Sequence, residues 1–193
     1  MIVLEKAVLT GERVRFTPLQ IENIYRHFEW NNDKELNRLD SELPYEEESF
    51  GEFKLRFERM LRADDGTTMD LEIHAEDGTL IGVAYLTNIS EYHRRCTAGI
   101  TIGDRNYWGK GYGRDALTVL LEYCFDTLNM HRVSTTTFEY NDAWRRLVKW
   151  AGFEFEGRVT DYLLRDGQYY DMELFGLVET AYRYRKMHQQ AGL

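Results

Sequence analysis

Three glycines at alternate positions, Gly109, Gly111 and Gly113, separate a β-prone run, Cys96 to Ile102, from a stretch carrying Ala116, Leu117, Leu120, Leu121, Cys124 and Phe125 on one helical face. A strand, a glycine loop and an amphipathic helix in that order leave few folds open, because the helix must lay its apolar face back on a sheet. Glycine permits the sharp turn and lets backbone approach an anion closely, while the first N–H groups of the helix are unpaired and carry partial positive charge. Taken alone, the cluster serves either local turning or anion binding. Two familiar phosphate loops are excluded by spacing. A Walker loop needs Ser or Thr after Gly-Lys, but Gly109-Lys110 is followed by Gly111. A dinucleotide fingerprint needs a glycine where Arg114 stands.

The flanking sequence supplies further strands and helices. Leu4 to Arg15 reads as an opening strand pair or extended arm broken at Thr10-Gly11, and Pro18 begins a helical stretch to about Trp30. Phe50, Phe53, Leu55, Phe57, Met60 and Leu61 predict a second helix, with the acidic stretch Asn31 to Glu48 as the connection. Met69 to Ala75, the turn Asp77-Gly78 and Leu80 to Leu86 predict a β-hairpin, followed by a polar loop from Asn88 to Arg95. Arg132 to Glu139 is Thr-rich and β-prone, Asp142 to Ala151 is helical, and Gly152 is a helix stop. Phe153 to Arg165 and Gln168 to Leu177 predict two strands joined at Asp166-Gly167. The whole reads as an α+β fold with a mixed sheet, residues 1–193 forming one domain with a helical tail from about Glu179.

With 43% hydrophobic and 14% aromatic residues among 193, one substantial core is expected, and no stretch reads as a linker. The net charge of −9 argues against a nucleic-acid partner; it suits a cationic substrate, or mere solubility. No apolar run reaches the roughly 20 residues of a membrane span. Met1 to Thr10 lacks the apolar core of a secretory signal, so a cytoplasmic location without membrane contact is expected. Cys96 and Cys124 read as reduced, largely buried thiols. His27, His74, His93, His131 and His188 are scattered without ligand spacing, and no metal is expected.

From Ile102-Gly103-Asp104-Arg105-Asn106-Tyr107 through Trp108-Gly109-Lys110-Gly111-Tyr112-Gly113, the sequence resembles the acetyl-coenzyme A loop of GNAT superfamily N-acetyltransferases, in their RimJ/RimL-like branch. The family loop is usually Gln/Arg-x-x-Gly-x-Gly/Ala; Trp108 replaces its first residue, as is frequent in that branch. Asn141, Arg146 and Gly152-Phe153 are similar to the family's Asn-x4-Arg-x5-Gly-Phe block. Glu156-Gly157-Arg158 and Asp166-Gly167-Gln168-Tyr169-Tyr170-Asp171 resemble its closing strands, so the likeness runs from roughly Leu9 to Val178.

The resemblance implies a GNAT-like mixed, mostly antiparallel central β-sheet flanked by helices. It implies acetyl transfer from acetyl-CoA, without a metal, to a primary amine (a small amine or polyamine, or a protein N-terminus) by direct attack in a ternary complex. Backbone at Thr101, Ile102 and Gly103 would pair with the pantetheine and polarise the thioester carbonyl, since oxyanion donors must stand where charge develops. Trp108, Gly109, Lys110, Gly111, Tyr112, Gly113 and Arg114 would hold the pyrophosphate. Asn141 and Arg146 would contact the pantetheine arm or the adenosine end, although Arg146 also reads as a solvated helix-face charge. Dimers are common in this branch, which makes a second copy a candidate partner.

The sequence also departs from the family. Many relatives carry a Tyr seven residues after the Asn as the acid for the departing thiolate, and here that position is Val148. Others use a Ser three residues after it, here Trp144, and the strand position of the usual Glu base is Thr97. Hydroxyls are poor bases near neutral pH. Glu91, His93 and Tyr140 are nearby proton-transfer candidates, each more readily read as ordinary loop or surface chemistry. An already neutral amine, with water relaying protons, would need none of them. The alternative is a non-catalytic acyl-CoA-binding sensor or regulatory module, which the missing acid favours; a pure protein-interaction domain is a third. Tyr162, Tyr169, Tyr170 and Phe175, with Asp161, Asp166 and Asp171, outline either an acidic aromatic pocket for an amine or an aromatic core or dimer contact.

Overall fold

The computed structural model describes residues 9–62 and 66–190. Its elements in chain order are β1 (Leu9–Thr10), β2 (Val14–Pro18), α1 (Ile24–Asn31), α2 (Lys34–Asp40), α3 (Phe50–Arg62), β3 (Met69–Ala75), β4 (Leu80–Ser90) and β5 (Arg95–Ile102). There follow α4 (Tyr112–Glu122), β6 (Arg132–Phe138), α5 (Asp142–Ala151), β7 (Glu154–Arg165), β8 (Gln168–Val178) and α6 (Glu179–Gln190). Residues 4–8 of the expected opening arm and 191–193 of the expected tail lie outside the described residues. The strands form one eight-stranded sheet of order β1-β2-β3-β4-β5-β6-β8-β7. The β5–β6 step is parallel, whereas β1–β2, β2–β3, β6–β8 and β7–β8 are antiparallel. The expected mixed, mostly antiparallel sheet with helices is therefore observed.

The chain forms two compact units: the described residues up to Tyr85 with Ile100–Ala116, and Leu86–Gly99 with the described residues from Leu117 onward. In the first, β2 alternates buried Val14 and Phe16 with exposed Arg15, and pairs Phe16 with Ile73 of β3. Pro18 does not open a helix. It closes β2 opposite Leu71, a strand end where its missing N–H is tolerated, and a 3-10 turn at Ile21–Asn23 leads into α1. Ile24, Phe53 and Phe57 pack with Leu19, Phe28 and Phe50, which binds α1 to α3. The acidic connection from Asn31 to Glu48 contains a further helix, α2. Asp33 caps it by accepting from the N–H groups of Glu35 (2.9 Å) and Leu36 (3.1 Å), and Leu36 is its buried residue.

A buried polar cluster crosses this unit. Glu72, fully buried, accepts from Nε2 of His27 (3.0 Å), Nε2 of His74 (3.1 Å), the Gln20 N–H (3.0 Å) and the Asn23 amide (2.7 Å). Burial raises its pKa, but these four donors outweigh that and bring it down to about 2. His74 moves upward, chiefly through its bond to Glu72, with a further contribution from the Gly78 carbonyl at Nδ1. Both ring nitrogens of His74 thus face acceptors, the arrangement that favours imidazolium.

In the second unit the expected polar loop from Asn88 to Arg95 is shorter. β4 continues to Ser90 through Asn88, which takes a positive φ of 50°, a conformation that asparagine tolerates. β5 and β6 pair from Arg95 opposite Arg132 to Thr97 opposite Ser134. A five-residue π-helical turn, Tyr123–Thr127, ends the run begun by α4 and buries Tyr123, Cys124 and Phe125 together. Phe125 stacks on Tyr182 of α6 at 4.5 Å, within a core that includes Leu117, Leu120, Val133, Phe175 and Leu177. The Cys96 and Cys124 thiols are buried 3.9 Å apart as free cysteines. Asn141 caps α5 by accepting from the Trp144 N–H at 3.1 Å, and Gly152 ends it at φ 92°, a left-handed position that glycine fills without strain.

Candidate functional site

The C-terminal end of β5, the glycine loop and the start of α4 all lie in the first unit. After Ile102 the backbone leaves the strand, with the Asp104 N–H donating to the Ile81 carbonyl at 3.0 Å. Asp104 then caps a 3-10 turn over Arg105–Tyr107. Gly103 is required sterically, since a Cβ there would overlap the indole of Trp30. Trp108 donates its indole N–H to the Ile102 carbonyl at 2.6 Å, so that carbonyl is already engaged. The Arg105 guanidinium lies 5.6 Å from the Trp108 ring and is held by Asp33 (2.7 Å) and Glu35 (2.9 Å), which tie the turn to the N-terminal end of α2.

Gly109 and Gly111 have φ of 69° and 91°, so the loop conformation depends on them. A Cβ at Gly109 would meet nothing within 4 Å, and one at Gly111 would first meet the Arg13 side chain at 3.7 Å. The backbone here borders open space, followed by the first N–H groups of α4. Lys110 and Arg114 are exposed beside it. Tyr112 is turned elsewhere, its hydroxyl donating to Glu76 at 3.0 Å and its ring edge-on to Tyr107. Asp115, in the first turn of α4, accepts from three successive backbone N–H groups: Glu12 (3.1 Å), Arg13 (2.7 Å) and Val14 (3.0 Å). A side chain at Gly11 would strike that carboxylate. Nothing in the local sequence around Asp115 announces this anchor, because its partners lie about a hundred residues away.

A second group near the end of β5 also escaped the sequence reading. Asp40, the last residue of α2, accepts from the Thr101 hydroxyl at 2.8 Å and the Tyr85 hydroxyl at 3.4 Å. Burial pushes its carboxyl above the usual range, although both hydrogen bonds pull the other way. Burial, then the charge of Asp40, also pushes the Tyr85 phenol far up, so it remains a donor. Asp40 is nonetheless exposed as a residue. Solvent thus reaches a carboxylate that protein surrounds.

The remaining candidates lie in the second unit. Asn141 spends its side-chain oxygen on the α5 cap, and Arg146 is exposed on that helix without an ion pair to any described residue. Its neighbour Arg145 is committed to Glu173 through two bonds, of 2.8 and 3.0 Å. Glu91 and His93 sit in the exposed turn before β5, whereas Thr101 and Ile102 end that strand. Tyr140 packs on Phe138 and edge-on to Tyr170. Val148 is fully buried, and Trp144 gives its indole N–H to the Thr135 hydroxyl at 3.2 Å. Phe175 is in the core, Tyr169 is exposed, and Asp171 is occupied by Arg158 and the Asp161 N–H.

A family model described as an acetyltransferase (GNAT) domain matches residues 13–154. The chain is 24% identical over 174 residues to an uncharacterized N-acetyltransferase, p20, of Bacillus licheniformis, covering 90% of this chain and 97% of that one. It is 36% identical over 104 residues to the ribosomal protein uS5-alanine N-acetyltransferase of Escherichia coli K12, about half (53%) of each chain. Among solved structures, the spermidine N-acetyltransferase of Vibrio cholerae in complex with CoA and spermine superposes with a TM-score of 0.79. That match is at 24% identity and covers 88% of this chain and 98% of that one.

Proposed function

The chain belongs to the GNAT acetyltransferase family, and on that premise we propose that it transfers the acetyl group of acetyl-CoA to a primary amine, either a small polyamine-like amine or a protein N-terminus. The observation that carries this reading is the family match running through the glycine loop, where Gly109 and Gly111 need positive φ and border open space. Lys110, Arg114 and the first N–H groups of α4 suit a pyrophosphate there, with Gly113 keeping the first turn free of a side chain. Backbone at Thr101 and Gly103 would receive the pantetheine, and Trp108, fastened to Ile102, would fix the distance between strand end and loop. Relatives that acetylate an alanine of a ribosomal protein or spermidine support an amine acceptor.

In the reaction the amine nitrogen attacks the thioester carbonyl carbon. A C–N bond forms, the C–S bond breaks, sulfur leaves with the electron pair, and a proton lost by the nitrogen reaches it through solvent to give the CoA thiol. Fixed donors at the carbonyl oxygen would lower this barrier more than the ground state. A second reading, an acyl-CoA-binding module without transfer, is favoured by one observation: neither buried Val148 nor Trp144, bonded to Thr135, can donate a proton to sulfur. Release of CoA thiol decides between them, measured with spermidine, aminoglycosides, amino acids and peptides with a free N-terminal alanine. Acceptor-dependent release supports transfer; stabilisation by acetyl-CoA with no release from any acceptor supports the module.

A further inference from the structure

Asp40 combines features that a merely structural carboxylate lacks. It ends a seven-residue helix whose other end is anchored through Asp33 and Glu35 to Arg105, so the helix is fixed to the segment that follows β5. Its two oxygens are shared out, Oδ2 accepting from Thr101 and Oδ1 from Tyr85, which orients the carboxylate. No cation is paired with it among the described residues, whereas the neighbouring acids Asp33, Glu48 and Asp104 each hold an arginine. An ionised carboxylate ringed by protein, open to solvent and lacking a counter-ion favours a cation brought from outside. Asp70 adds negative charge near the Tyr85 phenol, and burial raises its pKa too, against the pull of His27.

We propose that Asp40, held by Thr101 and Tyr85, is the residue that receives the acceptor's ammonium group and takes the proton it must lose before attack. This rests on the reading above, in which the backbone beside Thr101 receives the thioester. The ammonium gives one proton to the Asp40 carboxylate, and the freed lone pair forms the C–N bond. The C–S bond breaks, a second proton from nitrogen passes through solvent to sulfur, and Asp40 returns its proton to solvent. Tyr85 and Thr101 act as positioning residues, because they touch Asp40 rather than the amine. The chemistry selects cationic primary amines over neutral hydroxyl acceptors, since only the former pair with the carboxylate.

The test compares wild type with Asp40→Asn, using the amine that wild type acetylates fastest among spermidine, ethylamine and a peptide with N-terminal alanine. Asp40→Asn should keep the melting-temperature rise produced by acetyl-CoA, while kcat/KM for the amine falls about 10- to 100-fold. Its pH profile should also change. Wild-type kcat/KM levels off once Asp40 is ionised, whereas the variant's climbs about tenfold per pH unit toward the amine's own pKa, because only pre-formed neutral amine then reacts. Tyr85→Phe is the second variant: it leaves the carboxylate in place with one donor fewer, and the levelling-off should move to higher pH. An unaltered kcat/KM and profile in Asp40→Asn, with the acetyl-CoA response intact, overturns the role of Asp40 alone. A wild-type protein that acetyl-CoA does not stabilise overturns the premise and the proposal with it. Should Asp40→Asn not fold, an unshifted profile in Tyr85→Phe overturns the assignment.

Discussion

Trp108 donates its indole N–H to the backbone carbonyl of Ile102 across 2.6 Å, fastening the start of the glycine loop to the last residue of β5. Trp108→Phe keeps the ring and removes the bond. Its loss is worth about 0.5–1.5 kcal/mol, so acetyl-CoA affinity should weaken by roughly 2- to 10-fold with the fold intact. Calorimetric titration against both proteins measures this. Unchanged affinity would mean that the tie has no part in shaping the loop.

Asp115 ties the first turn of α4 to three backbone N–H groups at Glu12, Arg13 and Val14. Asp115→Ala leaves those donors to water or to nothing, a loss of about 1–3 kcal/mol. At this chain length each kcal/mol moves the melting temperature by about 2–4 °C. A thermal melt of the variant should therefore fall by several degrees, and Gly11→Ala, which pushes into the same carboxylate, should fall in the same direction.

The Glu72 cluster makes stability depend on pH from both sides. Glu72 is depressed from 4.5 to about 2, so its contribution is complete above 4.5 and is lost as pH falls toward 2. His74 is raised above 6.5, so its contribution is complete below 6.5 and is lost as pH climbs through the raised value. Both are fully present between 4.5 and 6.5. Urea midpoints of wild type minus Glu72→Gln, taken from pH 2 to 9, should peak in that window; a difference that is flat with pH would contradict the cluster's charge assignment.

How far these features were legible in the sequence depended on how local their causes are. β3 at Met69–Ala75 and α5 at Asp142–Ala151 match the sequence reading residue for residue. Alternation marks the strand, and the Asn141 cap and Gly152 stop mark the helix. α2 was hidden because seven residues with one buried side chain, Leu36, leave little periodicity, and its hold comes from distant Arg105. The end of β4 was hidden because Asn88 and Ser90 look like loop residues, although asparagine accommodates φ 50°. The glycine loop was plain from its spacing. Asp40 and Asp115 were not, since their meaning lies in partners 61 and about a hundred residues away.

Cys96 and Cys124 should be silent in the native protein. Both are buried, and the hydrogen bond between them and then burial push the Cys124 thiol well up, so it stays protonated and unreactive. A colorimetric thiol reagent should count no fast-reacting cysteine in the folded protein and two after denaturation. Rapid reaction before unfolding would show that this part of the second unit opens readily.

If the loop from Trp108 to Arg114 holds acyl-CoA, titration calorimetry of acetyl-CoA must separate wild type from Gly111→Val. Valine cannot take φ 91° without strain, and its side chain would enter the space that the loop borders. Wild type should bind saturably and the variant at least about 10-fold more weakly, a change of about 1.4 kcal/mol or more, with the far-ultraviolet spectrum unchanged. Equal affinity in the two proteins would contradict acyl-CoA binding at this loop.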